Sequence, residues 1–188
     1  KLAERIRTRF HELFPAPESK SYARSVYRRV FVLTSGATGL RPHQLGTVGT
    51  PFEADNYDDA TGKVFEAIAT ELKSPTPTAR LSILSGPPGS GKSFFIRGLI
   101  ESVEGALFLL VPAELVSGLG KPGMIDVLMQ IKATMDLPIV LVLEDAEQAL
   151  APRMTDNIGH VAALLNFTDG MFGELLDLRV LATTNERA

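Results

Sequence analysis

The feature that most constrains this chain is an eight-residue loop, Gly86-Pro87-Pro88-Gly89-Ser90-Gly91-Lys92-Ser93. It stands directly between an apolar run at Leu81–Leu84 and a helical pattern over Lys92–Val103. The loop satisfies the spacing G-x-x-x-x-G-K-[ST] in the strand–loop–helix setting that gives this spacing its meaning. Glycines at these positions let the backbone curl so that successive N–H groups face inward, and the helix adds the positive end of its dipole. Such a loop is built to hold phosphate. The Lys92 ammonium is expected to reach the β- and γ-phosphates of a nucleotide, and the Ser93 hydroxyl to coordinate Mg²⁺. Phe94, next in the helix, joins the eight loop residues in the expected cofactor-binding set. With glycine at about 7% of residues, a chance match of this spacing arises on the order of once per hundred chains of this size.

Around the loop, short apolar runs alternate with helical patterns. Strands are expected at Leu81–Leu84, Ala106–Val111, Ile139–Leu143 and Leu178–Thr183. Helices are expected at Lys92–Val103, Gly123–Met135 and about 157–167. Continuous apolar strands separated by helices predict an α/β fold with a parallel sheet covered on both faces. Upstream, Val30–Thr34 reads as a short strand and Ser35–Thr50 as a Gly-containing loop. Asp58–Lys73 reads as a helix with Val64, Phe65, Ile68, Ala69 and Leu72 inward. The run Ser74–Thr78 (SPTPT) is the clearest boundary. The expected organisation is a basic N-terminal helical segment over 1–30, a strand–loop–helix linker over 31–78 and a nucleotide-binding core over 79–188.

The apolar run Pro138–Leu143 ends in Glu144-Asp145. In an open parallel sheet, ligands sit beyond the carboxyl ends of the strands. Two carboxylates there are expected to face the glycine loop, to hold Mg²⁺ through water and to polarise an attacking water.

Composition removes several function classes. The chain has 188 residues, no Cys and three scattered His (His11, His43, His160). That excludes a disulfide scaffold and a thiolate metal site, and it argues against a His-rich one. The balance of 19 Lys+Arg against 22 Asp+Glu argues against general polyanion binding. Basic charge nevertheless collects at the N-terminus, where residues 1–30 carry eight basic and three acidic side chains. Leu2, Ile6, Phe10, Leu13 and Phe14 share one face of an expected helix over 2–14, stopped by Pro15 and Pro17. This segment is either a solvated basic helix docked by its apolar stripe or a contact for nucleic acid or a partner. The longest apolar runs, Gly105–Val111 and Leu137–Leu143, fall short of the roughly 20 residues that span a bilayer. No signal-peptide pattern is visible. A soluble fragment of a longer protein is expected, cytoplasmic or in an organelle matrix or stroma.

GPPGSGKS at 86–93 resembles the Walker A motif of AAA+ ATPases, and LVLEDAEQALAPR at 141–153 resembles their Walker B strand and following turn. LLNFTDG at 164–170 is similar to the helix and Asp-Gly ahead of the fourth strand, and LRVLATTN at 178–185 to the strand ending in the sensor-1 asparagine. The likeness covers about Leu81–Asn185 in the family's order, and the TTN ending and Asp169-Gly170 pair resemble the AAA clade proper. Glu144-Asp145 reverses the usual Asp-Glu order. The reversed order is similar to that of the mitochondrial inner-membrane AAA translocase group that matures the cytochrome bc complex, and the subgroup stays open.

The resemblance implies a P-loop NTPase fold, the large AAA+ subdomain with strand order 5-1-4-3-2, whose fifth strand and helical lid lie outside this chain. It implies ATP and Mg²⁺ as cofactors, Lys92 on phosphate, Ser93 on the metal, Glu144 and Asp145 divided between metal and water activation, and Asn185 placing the lytic water. Motif position makes Glu144 the metal-side acid and Asp145 the base. Aligning Ala151-Pro152-Arg153 instead puts Asp145 on the metal side, and both assignments stay open. Asp55, Asn56 and Tyr57 fall where the family's linker approaches adenine. No guanine-reading N-K-x-D follows the third or fourth strand, which favours ATP over GTP.

The resemblance further implies a homo-oligomeric ring, a hexamer, acting on a protein client. Its arginine fingers would lie past Ala188. Arg187 stands too near the sensor to be one, and Arg153 reads as a neighbour contact or a solvated residue. Weak or absent hydrolysis is expected of this segment alone, since such a finger is worth roughly 10³–10⁵ in rate. Ala113–Gly123 resembles a pore loop in which Leu119 stands where an aromatic grip is usual. His160 reads as a packed or surface histidine. The leading function is an ATP-driven protein remodeller. The alternatives are a clamp-loader or initiator-type DNA-remodelling ATPase, supported by the basic segment alone, and a nucleotide-gated assembly protein with little turnover.

Overall fold

A computed structural model describes residues 30–46, 48–146, 168 and 170–185. Its strands are β1 (Val30–Gly36), β2 (Gly39–Gly46), β3 (Leu81–Ser85), β4 (Leu107–Leu110), β5 (Ile139–Leu143) and β6 (Leu178–Thr184). Its helices are α1 (Asp59–Lys73), α2 (Lys92–Ser102), α3 (Ala113–Val116), α4 (Pro122–Met135) and α5 (Met171–Leu175). The described strands form one sheet in the order β2-β1-β4-β5-β6-β3. Every neighbouring pair is parallel except the hairpin of β1 with β2.

β5 and β6 are buried at every position, because each feeds a core on both faces of the sheet. Leu107, Leu109, Leu141 and Val180 pack on one side with Met124 and Leu128 of α4. Phe108, Val140, Val142 and Leu181 pack on the other with Phe65 and Leu72 of α1 and Phe95 and Leu99 of α2. That double burial is why β5 reads as an unbroken apolar run rather than an alternating one. α1 begins where Asp58 caps it, its carboxylate accepting the Thr61 N–H at 2.7 Å. Phe65, Ala69 and Leu72 then carry its buried stripe.

Counted from the strand that precedes the glycine loop, β3, β4, β5 and β6 lie in the order 1-4-3-2, which matches the expected topology. The hairpin β1–β2 extends the sheet past the second of these strands. The loop expected over Ser35–Thr50 is therefore corrected: its first two residues end β1 and half of it is β2. A two-residue turn at Ala37-Thr38 closes the hairpin, with Gly36 paired to Gly39. Glycine and Pro42 read as loop signals, but an edge strand needs partners on one side only and tolerates proline.

The connector after α1 is tied down. The Glu71 carboxylate accepts from the Thr78 N–H and hydroxyl, each at 2.7 Å, and Arg179 of β6 donates to the Ser74 carbonyl. A second correction concerns the segment read as a pore loop. Ala113–Val116 is the short α3, and Leu119 is 4% exposed inside the core with Val116. The Gly-rich stretch folds back on the sheet, so Leu119 is a core residue rather than a grip. The expected helices over 2–14 and about 157–167 lie outside the described residues, as do Arg153, His160, Asp169, Arg187 and all of segment 1–30 except Val30.

Candidate functional site

The glycine loop leaves the end of β3 and enters α2. The Gly86 N–H donates to the Thr184 carbonyl at 3.2 Å, which pins the start of the loop to the end of β6. Gly89 and Gly91 have φ of 80° and 90°, a region in which a side chain is strained. The first turn of α2 has no acidic residue and no side-chain cap. Its leading N–H groups are thus free for an anion.

The Lys92 ammonium folds back over the loop. It donates to the carbonyls of Gly86 at 2.9 Å and Pro87 at 3.0 Å, and to Asn185 Oδ1 at 2.9 Å. Asn185 Nδ2 donates in turn to Asp145 Oδ1 at 3.1 Å. Residues from the loop, from the end of β5 and from the end of β6 thus form one hydrogen-bonded line. They border a cleft of about 420 Å³ lined by Gly89, Lys92, Ser93, Asp145, Thr183 and Asn185, among others. Pro88, Gly91 and Phe94 complete the loop side of this cleft. A second cleft, about 460 Å³, adjoins it and is lined by Tyr57, Val64, Ile83, Gly86, Pro87 and Ser90, among others. One cleft is polar at the turned-in amides, and the other is apolar and aromatic beside it. A polyphosphate joined to a flat base has the same two halves.

Of the residues expected from the sequence, the structure brings Lys92, Ser93, Asp145 and Asn185 to one cleft. Glu144 differs: both acids are exposed, but Asp145 lines the polar cleft and Glu144 does not. Among the described residues, no cluster of three or more His, Cys, Asp or Glu is placed to hold a metal unaided. The Ser93 oxygen still suits Mg²⁺, which fills most of its shell with water and phosphate, so that a nearby carboxylate can reach it through water.

Two lining residues escape a motif-based reading. Thr183, 2% exposed, accepts the Asp145 N–H on its hydroxyl at 3.0 Å, and its carbonyl accepts the Ala146 N–H at 2.9 Å. It stands two residues before Asn185, so strand alternation puts both on one face, and that signal was available. Arg97 stands four residues after Ser93, one helical turn along, and also borders the cleft.

A glycine loop between β3 and α2, an asparagine at the end of the neighbouring β6 and an acid at the end of β5 together define a P-loop NTPase. The family model for the ATPase family associated with various cellular activities (AAA) matches residues 82–188, and the chain belongs to that family. No curated protein matches the chain. No described helix is long and apolar enough to cross a membrane.

Proposed function

We propose that this domain binds ATP with Mg²⁺ and hydrolyses it, as the motor of a homo-oligomeric ring that remodels a protein client. ATP turnover is supported above all by the line Lys92–Asn185–Asp145, which joins the phosphate loop to the acid at the end of β5. The Lys92 ammonium exchanges its loop carbonyls for phosphate oxygens. The Asn185 amide orients water against Asp145, whose carboxylate takes the proton. The Ser93 hydroxyl holds the metal, with Glu144 reaching it only through water. When bound, Mg²⁺ neutralises charge that builds on the phosphates during transfer. The base rests in the apolar cleft beside Val64 and Ile83. The ring and the client are supported by the family alone. Because Leu119 is buried, the segment 113–123 offers a client no exposed large apolar side chain, so the client contact is assigned to another surface.

The test is binding and turnover in wild type, Lys92→Ala and Asp145→Asn. Lys92→Ala is expected to weaken MgATP binding roughly tenfold or more, since it removes a charged hydrogen-bond donor. Asp145→Asn is expected to keep binding and lose turnover. Unchanged affinity in Lys92→Ala refutes the reading. Tight ATP binding that drives assembly without any turnover in the full-length protein would replace the motor with a nucleotide-gated switch.

A further inference from the structure

We propose that Tyr57 is a positioning residue for the phosphate loop: its hydroxyl holds the Gly91 carbonyl and so aims the Lys92 N–H at the bound phosphates. The inference rests on the nucleotide reading given above.

Tyr57 follows a 3₁₀ turn at Ala54–Asn56, ahead of the helix α1. Its hydroxyl donates to the Gly91 carbonyl at 2.9 Å across 34 residues of sequence. The same carbonyl accepts the Phe95 N–H at 2.9 Å, the first helical bond of α2. Two donors therefore fix its direction. The described chain contains no cis peptide, so the Lys92 N–H points opposite to that carbonyl, out of the mouth of α2. This amide is among the leading N–H groups that no side chain caps.

The clamp acts where the backbone is loosest. Gly91 has φ of 90°, and glycine there leaves the peptide free to rock. Tyr57, by contrast, is held firmly. Its ring stacks on Phe52 at 5.1 Å between centroids and meets Phe95 edge-on at 6.0 Å. Phe52 in turn stacks on Phe65 of α1 at 3.7 Å. Burial pushes the phenol pKa up, which keeps the hydroxyl protonated and able to donate. The aromatic cluster thus transmits the position of the linker to one peptide of the phosphate loop. A contact between Tyr57 and the base, which the ring's place in the apolar cleft also allows, would use the ring face and not this hydrogen bond.

The experiment compares affinity for MgATP and for inorganic tripolyphosphate, which has no base, in wild type, Tyr57→Phe and Lys92→Ala. Thermal unfolding of each variant checks its folding. Tyr57→Phe keeps the stacking and removes only the hydroxyl. It is expected to weaken both ligands by the same factor, about threefold to tenfold. Wild-type affinity for both ligands overturns the proposal, as does a loss confined to ATP, which would make Tyr57 a base contact. Wild-type protein that binds neither ligand sinks the nucleotide reading, and this inference with it.

Discussion

Gly89 and Gly91 have similar backbone angles but different surroundings, and alanine at each separates strain from collision. A left-handed φ costs a side-chain-bearing residue about 1–2 kcal/mol. At Gly89, with φ of 80°, an added Cβ meets nothing within 4 Å, so Gly89→Ala should cost about that much. At Gly91 the added Cβ lies 2.9 Å from the Tyr57 hydroxyl oxygen and 3.3 Å from its Cε1. The hydroxyl must shift, and its bond to the Gly91 carbonyl goes with it, which adds about 1 kcal/mol. Gly91→Ala is thus expected to cost about 2–3 kcal/mol, or roughly 4–12 °C in Tm for a chain of this size. Urea unfolding followed by circular dichroism measures both variants, alone and in a Tyr57→Phe background. There the extra cost of Gly91→Ala should shrink by about 1 kcal/mol, because the colliding atom and the bond are already absent. Equal costs at Gly89 and Gly91, or a Gly91→Ala cost that is the same in both backgrounds, would refute the reasoning.

Thr183→Val removes the hydroxyl that accepts the Asp145 N–H. Phosphate-release assays should show turnover reduced about threefold to tenfold with KM for ATP within about twofold, and a change in KM alone would contradict this. The Glu71 carboxylate is held below the usual carboxylate range, first by the Thr78 hydroxyl and then by the Ala79 and Thr78 N–H groups. Its contribution is therefore full above the ordinary carboxylate pKa and is lost as pH falls through the lower folded value. A Tm-against-pH scan should flatten at the acid end in Glu71→Gln, and an unchanged slope would show that the carboxylate does not act this way. Arg179 is 1% exposed, and its Nε and Nη1 find no partner among the described residues. Asp177 Oδ1 lies 3.2 Å from Arg179 and 3.5 Å from Arg80. Arg179→Met loses the bond to Ser74 but removes two stranded donors and leaves Asp177 with Arg80. Its net effect in urea unfolding should stay within about 1 kcal/mol, and a loss above about 3 kcal/mol would mean that the charge is needed.

The elements that carry chemistry are legible because each obeys a local rule. Gly86 to Ser93 is readable from spacing alone. Ile139–Leu143 is readable as a strand because it is buried on both faces and all five of its residues are apolar. Asp58 marks the start of α1 through its cap. What escapes is whatever depends on a distant partner. β2 carries no alternation of its own and exists because β1 pairs with it. The burial of Leu119 follows from α3 turning the chain back onto the sheet, which a Gly-rich stretch does not announce. The bond from Tyr57 to Gly91 spans 34 residues and leaves no mark in either segment.

The order of the two acids shows the same limit most sharply. In the sequence, Glu144 and Asp145 are interchangeable carboxylates at a strand end. The backbone separates them. Asp145 has φ of 51°, and its N–H and that of Ala146 both hang on Thr183 of the adjacent strand. The left-handed region is entered more readily by Asp than by Glu, because a short polar side chain can hydrogen-bond locally there. A turn of this shape therefore favours Asp at its second position, and Glu takes the first, where no left-handed φ is required. The shorter reach of Asp145 is offset because Asn185 comes to it, 3.1 Å from Oδ1. The turn after β5 selects the shorter acid for the cleft, and the asparagine at the end of β6 supplies the distance that the missing methylene would have covered.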